Sequence, residues 1–432
     1  MMLSLKSRRG NAAIALAAAG LLALTACGGA SDDNAPQSVS GNIKGDISFQ
    51  TWNLKAGFAD YFNGLIAEFE KENPGTHVKW LDQPAENYVQ KLQAQVTSNS
   101  LPDVVNTGPE LAYPLAKAGA LLNLAKADPK AGALYLPGAW NASKFAGGLY
   151  SYPWYMNTGP NFYNTKLFAA AGLDPTKPPK TYDEMLTDAA ILGQHVKGKY
   201  YMWGNVPGQI DLALYGVDLM NKDQTKYTFN TAKAAKLLTN YKAAYDAGGI
   251  LPAGLSMLYT GVGEAFMNGQ VAMNSGSAYD LKNFEKNAPD LAANLGIAPA
   301  FSSTGQYEMS VQNLSISAKS KNIPTAAAFA KFVTGKKQQM AFAKVVNVFP
   351  SSADTLSDPF FTKEDGTKNT TLRVAAAKQL GNAVQHTPVV STDAMATYIQ
   401  QQFSDAILGK QTVEQALDNA VNKCNQLLGS AK

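Results

Sequence analysis

The chain has 432 residues, 46% of them hydrophobic, with 37 basic and 33 acidic side chains, a formal charge of +4 and two cysteines. That much apolar chain can fill more than one core, 10% aromatic residues argue against disorder, and so slight a surplus of charge is no nucleic-acid footprint. Two cysteines exclude a disulfide framework, and His77, His195 and His386 show no HxxxH or CxxC spacing, which argues against a metal site such as zinc.

The N-terminus is read separately. Lys6, Arg8 and Arg9 precede an apolar run over 12–26. This run is shorter than the roughly 20 residues a transmembrane helix needs, and it reads as an export signal. Leu24-Thr25-Ala26-Cys27 resembles a lipobox, the motif at which bacterial lipoproteins are acylated and cleaved. The resemblance implies a signal peptide over 1–26 and a lipidated Cys27 that ties the mature chain to a membrane. The small, polar, glycine-rich stretch that follows predicts a flexible tether over 27–45. Removing Lys6, Arg8 and Arg9 leaves 34 basic against 33 acidic residues, so the exported body is close to neutral.

Alternation predicts a strand over 46–52. Phe58, Tyr61, Phe62, Leu65, Ile66 and Phe69 then recur with helical spacing, stopped at Asn73-Pro74-Gly75. A strand over 76–81, a helix over 87–98 and a strand over 103–107 follow. Strands alternating with helices predict parallel pairing in an α/β structure, and such sheets bind ligands beyond the C-terminal strand ends. In the middle, 147–164 is rich in glycine and aromatic residues. Thr181 with Glu184, and Thr412 with Gln415, are spaced as capping boxes. Cys424 falls on the apolar face of the last helix and reads as a core thiol.

Tyr152-Pro153-Trp154-Tyr155, Phe162-Tyr163-Asn164, Ala171-Gly172-Leu173-Asp174-Pro175 and Pro178-Pro179-Lys180-Thr181-Tyr182 occur in order. They are followed by Glu264-Ala265-Phe266-Met267-Asn268-Gly269-Gln270-Val271-Ala272-Met273, Gln312-Asn313-Leu314-Ser315-Ile316-Ser317 and Lys410-Gln411-Thr412-Val413-Glu414. Together they resemble extracellular solute-binding protein family 1, the maltose-binding-protein-like receptors of sugar ABC transporters. The resemblance implies two discontinuous α/β lobes joined by a hinge, with the ligand in the cleft between them. Carried onto this chain, the first lobe spans 44–151 plus 299–351 and the second 152–298 plus 352–432.

A neutral sugar needs flat aromatic platforms and a few fixed polar groups. The expected platforms are Trp52, at a strand end, Trp154, at the implied lobe crossing, and Trp203, among small neighbours, with Tyr155 and Tyr279 as further aromatics. Trp80 and Trp140 read as structural. The expected polar partners are Asn53, Asp82, Gln83, Asn106 and Glu110 after the first three strands, and Asn274, Ser275 and Gly276 in the turn after 271–273.

The function implied is capture of a carbohydrate, read as an oligosaccharide, and its delivery to ABC permease subunits. The receptor would be an extracytoplasmic monomer, lipid-anchored at the cell membrane, that uses no cofactor and carries out no catalysis. Two other readings compete. A non-sugar solute such as a polyol phosphate would call for clustered Lys or Arg in the cleft. A secreted glycoside hydrolase would need two carboxyl groups flanking one bond; Asp103, Glu110 and Glu264 are available, but no local pattern marks a pair.

Overall fold

A computed structural model describes residues 38–256 and 260–430. The expected signal peptide, Cys27 and most of the tether lie outside the described residues.

The first part of the chain runs β1 (Gly45–Trp52), α1 (Lys55–Glu72), β2 (Thr76–Gln83), α2 (Tyr88–Thr97), β3 (Val104–Thr107) and α3 (Pro109–Lys117). The hydrophobic pattern accounts for this directly. Ile47 and Phe49 of β1 point into the core, and α1 buries Phe62, Leu65, Ile66 and Phe69 on one face. β1 pairs parallel with β2 from Gly45↔Thr76 to Trp52↔Gln83, and parallel with β3 through Phe49↔Val104. Parallel pairing brings the three C-terminal strand ends to one edge.

The chain then forms a small hairpin, β4 (Lys144–Phe145) and β5 (Gly148–Leu149), which turns at Ala146 and Gly147 with φ of 48° and 73°. Two positive φ values at adjacent turn residues suit the twist of a tight hairpin. The remaining strands are β6 (Ser151–Asn157), β7 (Asn161–Asn164), β8 (Met273–Ser275), β9 (Leu295–Ala298), β10 (Tyr307–Glu308), β11 (Ser310–Ile316), β12 (Phe349–Pro350) and β13 (Ala383–Val384). The main sheet has the order β12-β6-β11-β3-β1-β2, and a second sheet has the order β8-β7-β9. The main sheet thus takes strands from both before and after the second one.

Two large cores match the two sheets. The first gathers Ile47, Phe49, Phe62, Val104, Tyr152, Trp154, Leu314, Phe329 and Phe342. The second gathers Phe168, Met185, Leu212, Phe229, Leu237, Tyr241, Ile399, Phe403 and Cys424, mainly from the helices Tyr182–Val196, Ala232–Asp246, Asp393–Ile407 and Val413–Ser430. This is the two-lobe arrangement of a periplasmic binding protein. Both capping boxes form. Thr181 Oγ1 accepts from the Glu184 N–H at 3.2 Å while Glu184 Oε2 accepts from the Thr181 N–H at 3.1 Å, and Thr412 and Gln415 exchange the same two bonds at 3.1 Å.

Two features depart from the lobe limits read in the sequence. β6 falls on the second-lobe side of a division at 151/152, yet it is hydrogen-bonded into the main sheet between β11 and β12. The helix Lys368–Leu380 straddles the junction. Its Leu372 packs with Phe162 and Phe284, while Ala376, Ala377 and Leu380 pack with Met156 and Met309. Val39 packs against the first core, and the Lys44 backbone exchanges hydrogen bonds with Thr325 Oγ1, so the described end of the tether is docked. Among the described residues no helix is long and apolar enough to cross a membrane.

Candidate solute-binding site

The C-terminal edge of β1, β2 and β3 collects the first group of expected residues. Trp52 is half-buried, with its ring centroid 5.3 Å from that of Tyr88. Asn53 is exposed and takes a left-handed conformation, φ 53°, which asparagine tolerates better than most residues. Its N–H donates to the Gln83 carbonyl at 2.8 Å, so strand pairing continues one residue past Trp52. Asp82 is committed to the scaffold. Its Oδ1 accepts from Thr51 Oγ1 at 2.7 Å and from the Leu54 N–H at 3.1 Å, and its Oδ2 accepts from the Lys55 N–H at 3.0 Å. A carboxylate on the free N–H groups of a starting helix is favoured by the helix dipole, and here it fixes the turn that presents Trp52 and Asn53.

Asn106 lies beneath the edge, fully buried. Its Nδ2 donates to Gln312 Oε1 at 3.0 Å and to the Asn313 carbonyl at 3.2 Å, while its Oδ1 has no partner. Glu110 sits in the first turn of α3 with its side chain exposed. Partial desolvation of its carboxyl group by the surrounding protein holds its pKa above the ordinary carboxylate value, offset in part by a hydrogen bond from its own backbone N–H.

The second lobe supplies the end of β8 and the turn after it; Asn274 and Ser275, expected in the turn, are the last two residues of that strand, paired with Phe162 and Asn161 of β7. Asn274 and Gly276 are half-buried and Ser275 is exposed. The Gly276 N–H donates to the Pro160 carbonyl at 3.1 Å, and a side chain at Gly276 would put its Cβ 2.6 Å from the Phe162 ring. Only glycine lets this turn lie flat on the strand. Tyr279, in the first turn of the helix Ala278–Asn287, is 79% exposed.

The remaining expected residues are not brought to either group. Trp154 is 1% exposed, in the centre of the first core. Its ring stacks on Phe342 at 5.7 Å and 14°, and Phe49, Phe62 and Tyr155 surround it at 6.4, 5.8 and 4.9 Å. Trp203 is 6% exposed in the second core, edge-on to Phe301 at 5.2 Å. In this arrangement both tryptophans are core residues, because protein atoms already cover their faces. Tyr155 is half-buried against Trp154 and Phe342, and burial pushes its phenol up to about 12.

Two cavities run between the lobes; most of their lining was not singled out in the sequence, and Trp140, read there as structural, lines one of them. One, of about 1060 Å³, has an aromatic wall of Tyr113, Trp140 and Phe145 on the first lobe and faces 222–225 and 389–392 on the second. The other, of about 590 Å³, adjoins it and shares Lys144, Lys222, Gln224 and Val389. Of the expected site residues, only Glu110 lines either cavity. No local pattern could have found this groove, since its walls come from segments more than seventy residues apart. The carboxylates considered for hydrolysis are not arranged as a pair. Asp103 is taken up by Ser48 and Ser320, and Glu264 lies in the first turn of the helix Val262–Met267.

The family model described as bacterial extracellular solute-binding protein matches residues 55–340. The diacetylchitobiose binding protein DasA of Streptomyces coelicolor is 25% identical over 346 residues, covering 77% of this chain and 79% of that protein. The sn-glycerol-3-phosphate-binding periplasmic protein UgpB of Brucella abortus is 25% identical over 366 residues, covering 74% and 78%. Among solved structures, a periplasmic-binding protein from Synechococcus sp. MITs9220 superposes with a TM-score of 0.78 at 25% identity, covering 89% of this chain and 99% of that one. The sugar-binding protein MalE from Xanthomonas citri shares the fold, with a TM-score of 0.73 at 21% identity over 89% and 98% of the two chains. The chain belongs to the bacterial extracellular solute-binding protein family.

Proposed function

We propose that the chain is the receptor of an ABC importer for a carbohydrate, an oligosaccharide before a monosaccharide, held at the membrane through lipid on Cys27. The observation that carries this reading is its similarity to the diacetylchitobiose binding protein over 77% of the chain. The site would be built from the strand-end group of the first lobe, Trp52, Asn53, Gln83 and Glu110, and from the end of β8 and the start of the next helix in the second, Asn274, Ser275, Gly276 and Tyr279. Asp82 and Asn106 would hold this scaffold in place. A solute touching both groups favours the closed arrangement by its differential affinity, and the permease then receives the closed form. No bond has to be made or broken.

Calorimetric titration of the mature chain with mono- and oligosaccharides, including diacetylchitobiose, tests the reading, with product analysis on the same samples. A micromolar dissociation constant, about −8 kcal/mol, without turnover supports it, and cleavage of a glycosidic bond sinks it. Cys27→Ser should move the protein from the membrane to the soluble fraction. Retention of that variant at the membrane refutes the lipid anchor.

A polyol phosphate is the second reading. It is favoured by the glycerol-phosphate-binding relative and by Lys117, Lys144 and Lys222, which line the inter-lobe groove. Binding of sn-glycerol 3-phosphate with no response to any sugar would select it.

A further inference from the structure

The segment 385–392 connects β13 to the helix Asp393–Ile407 and touches both lobes. Val389 packs against the first-lobe cluster of Tyr88, Val105 and Leu115, as Trp52 also does. Its neighbour Val390 packs against the second core, and Ser391 Oγ donates to Gln209 Oε1 at 3.1 Å. Two consecutive residues are thus committed to different lobes. A change in the angle between the lobes must pull one of them out of its packing.

The start of this segment is pinned to the hinge. Glu308 Oε2 accepts from the His386 backbone N–H at 2.8 Å and lies 3.1 Å from His386 Nδ1, while Glu308 Oε1 accepts from Thr387 Oγ1 at 3.4 Å. The two side chains are only 12% and 24% exposed. β10, which carries Glu308, pairs parallel with β13. The Glu308 carbonyl accepts from Thr158 Oγ1 at 2.8 Å, Thr158 Oγ1 accepts from Gln379 Nε2 at 3.2 Å, and Gln379 Oε1 accepts from the Ala300 N–H at 2.8 Å. Thr158 lies between β6 and β7, and Ala300 between β9 and β10, so two passages between the sheets are tied to the residue that holds His386.

We propose that 385–392 is a proton-responsive clasp on the hinge. Protonation of His386 strengthens its hold on Glu308 and favours the arrangement in which the clasp touches both lobes. A neutral imidazole offers Glu308 one hydrogen bond, whereas an imidazolium adds a charge-assisted one in a partly dry site. The charged groups Lys144, Asp218 and Lys222 line the cavity that His386 also lines. Tyr182, which interacts with Glu308, stays neutral because burial holds its phenol far above the ordinary value. Its hydroxyl donates to the half-buried Asp211.

The consequence for solute affinity rests on the hinge-closing function proposed above, but the clasp can be tested without any solute. Spin labels on Val89→Cys and Ile191→Cys, exposed positions on the first and second lobes, report the inter-lobe distance in the ligand-free Cys27→Ser chain. Between about pH 8 and about pH 5.5, the range over which imidazole ordinarily titrates, the population with the clasp engaged should rise about fivefold, the scale of one partly exposed ion pair. His386→Gln and Glu308→Gln should each abolish the rise. His77→Gln should retain it, as should Asp188→Asn, which removes a carboxyl that burial raises to about 6. A wild-type distribution that ignores pH, or a rise that persists in His386→Gln, overturns the clasp whatever solute the protein binds.

Discussion

Trp52 and Trp154 belong to the same sheet and the same lobe, yet they have opposite surroundings. Trp154 is enclosed by Phe49, Phe62, Tyr155 and Phe342, whereas Trp52 has Tyr88 as its one close ring among the described residues and remains half-exposed at the strand end. An aromatic platform needs a face that protein atoms have not already covered. Residue type is the same in the two places, and burial separates the roles.

The sharpest way to break this contrast is Trp154→Ala. Emptying a packed aromatic site should cost about 3–5 kcal/mol in urea or guanidinium unfolding, and a stable variant with lost solute affinity would return Trp154 to the binding site. Asp82→Ala comes next. Removing a carboxylate that accepts three hydrogen bonds should cost about 2 kcal/mol and accelerate amide exchange at Leu54 and Lys55, where the turn presenting Trp52 begins. Trp52→Ala should weaken solute binding at least about tenfold, or 1.4 kcal/mol, with a smaller loss of stability than Trp154→Ala; unchanged affinity would remove Trp52 from the site.

Tyr279→Ala sharpens the contrast from the other lobe. An exposed ring supports little, so stability should stay within about 0.5 kcal/mol while affinity falls. Equal affinity in wild type and variant would confine the site to the first lobe's rim. The smallest effect is chemical. Cys424 is buried in the second core, and burial pushes its thiol up to about 11, so alkylation near the ordinary thiol pKa of about 8.5 should be negligible in the folded protein and rapid after unfolding.

Much of the fold was legible in the residues. The helical spacing of Phe62, Leu65, Ile66 and Phe69 corresponds to the buried face of α1, and Thr181 and Thr412 cap the helices their spacing announces. Such signals are local, because a periodicity of two or 3.6 residues already states which side is apolar. The strand ends were legible for the same reason, since parallel strands gather them at one edge. The middle region misled in a specific way. Tyr152-Pro153-Trp154-Tyr155 sits where a lobe crossing was expected, yet β6 inserts between β11 and β12 and turns Tyr152 and Trp154 into the first core.

By itself, the sequence determined the α/β alternation, the helix caps, the core role of Cys424 and the near-neutral charge of residues 27–432, because each depends on residues close together in the chain or on their sum. Only the tertiary structure decided which tryptophans keep an open face, that a groove runs between Trp140 and the 389–392 segment, and that Glu308, Thr158, Gln379 and His386 meet at the hinge. Those outcomes follow from packing between segments up to about 250 residues apart. Burial and contact at such separations are set by the closed geometry of the whole chain, and no local spacing encodes them.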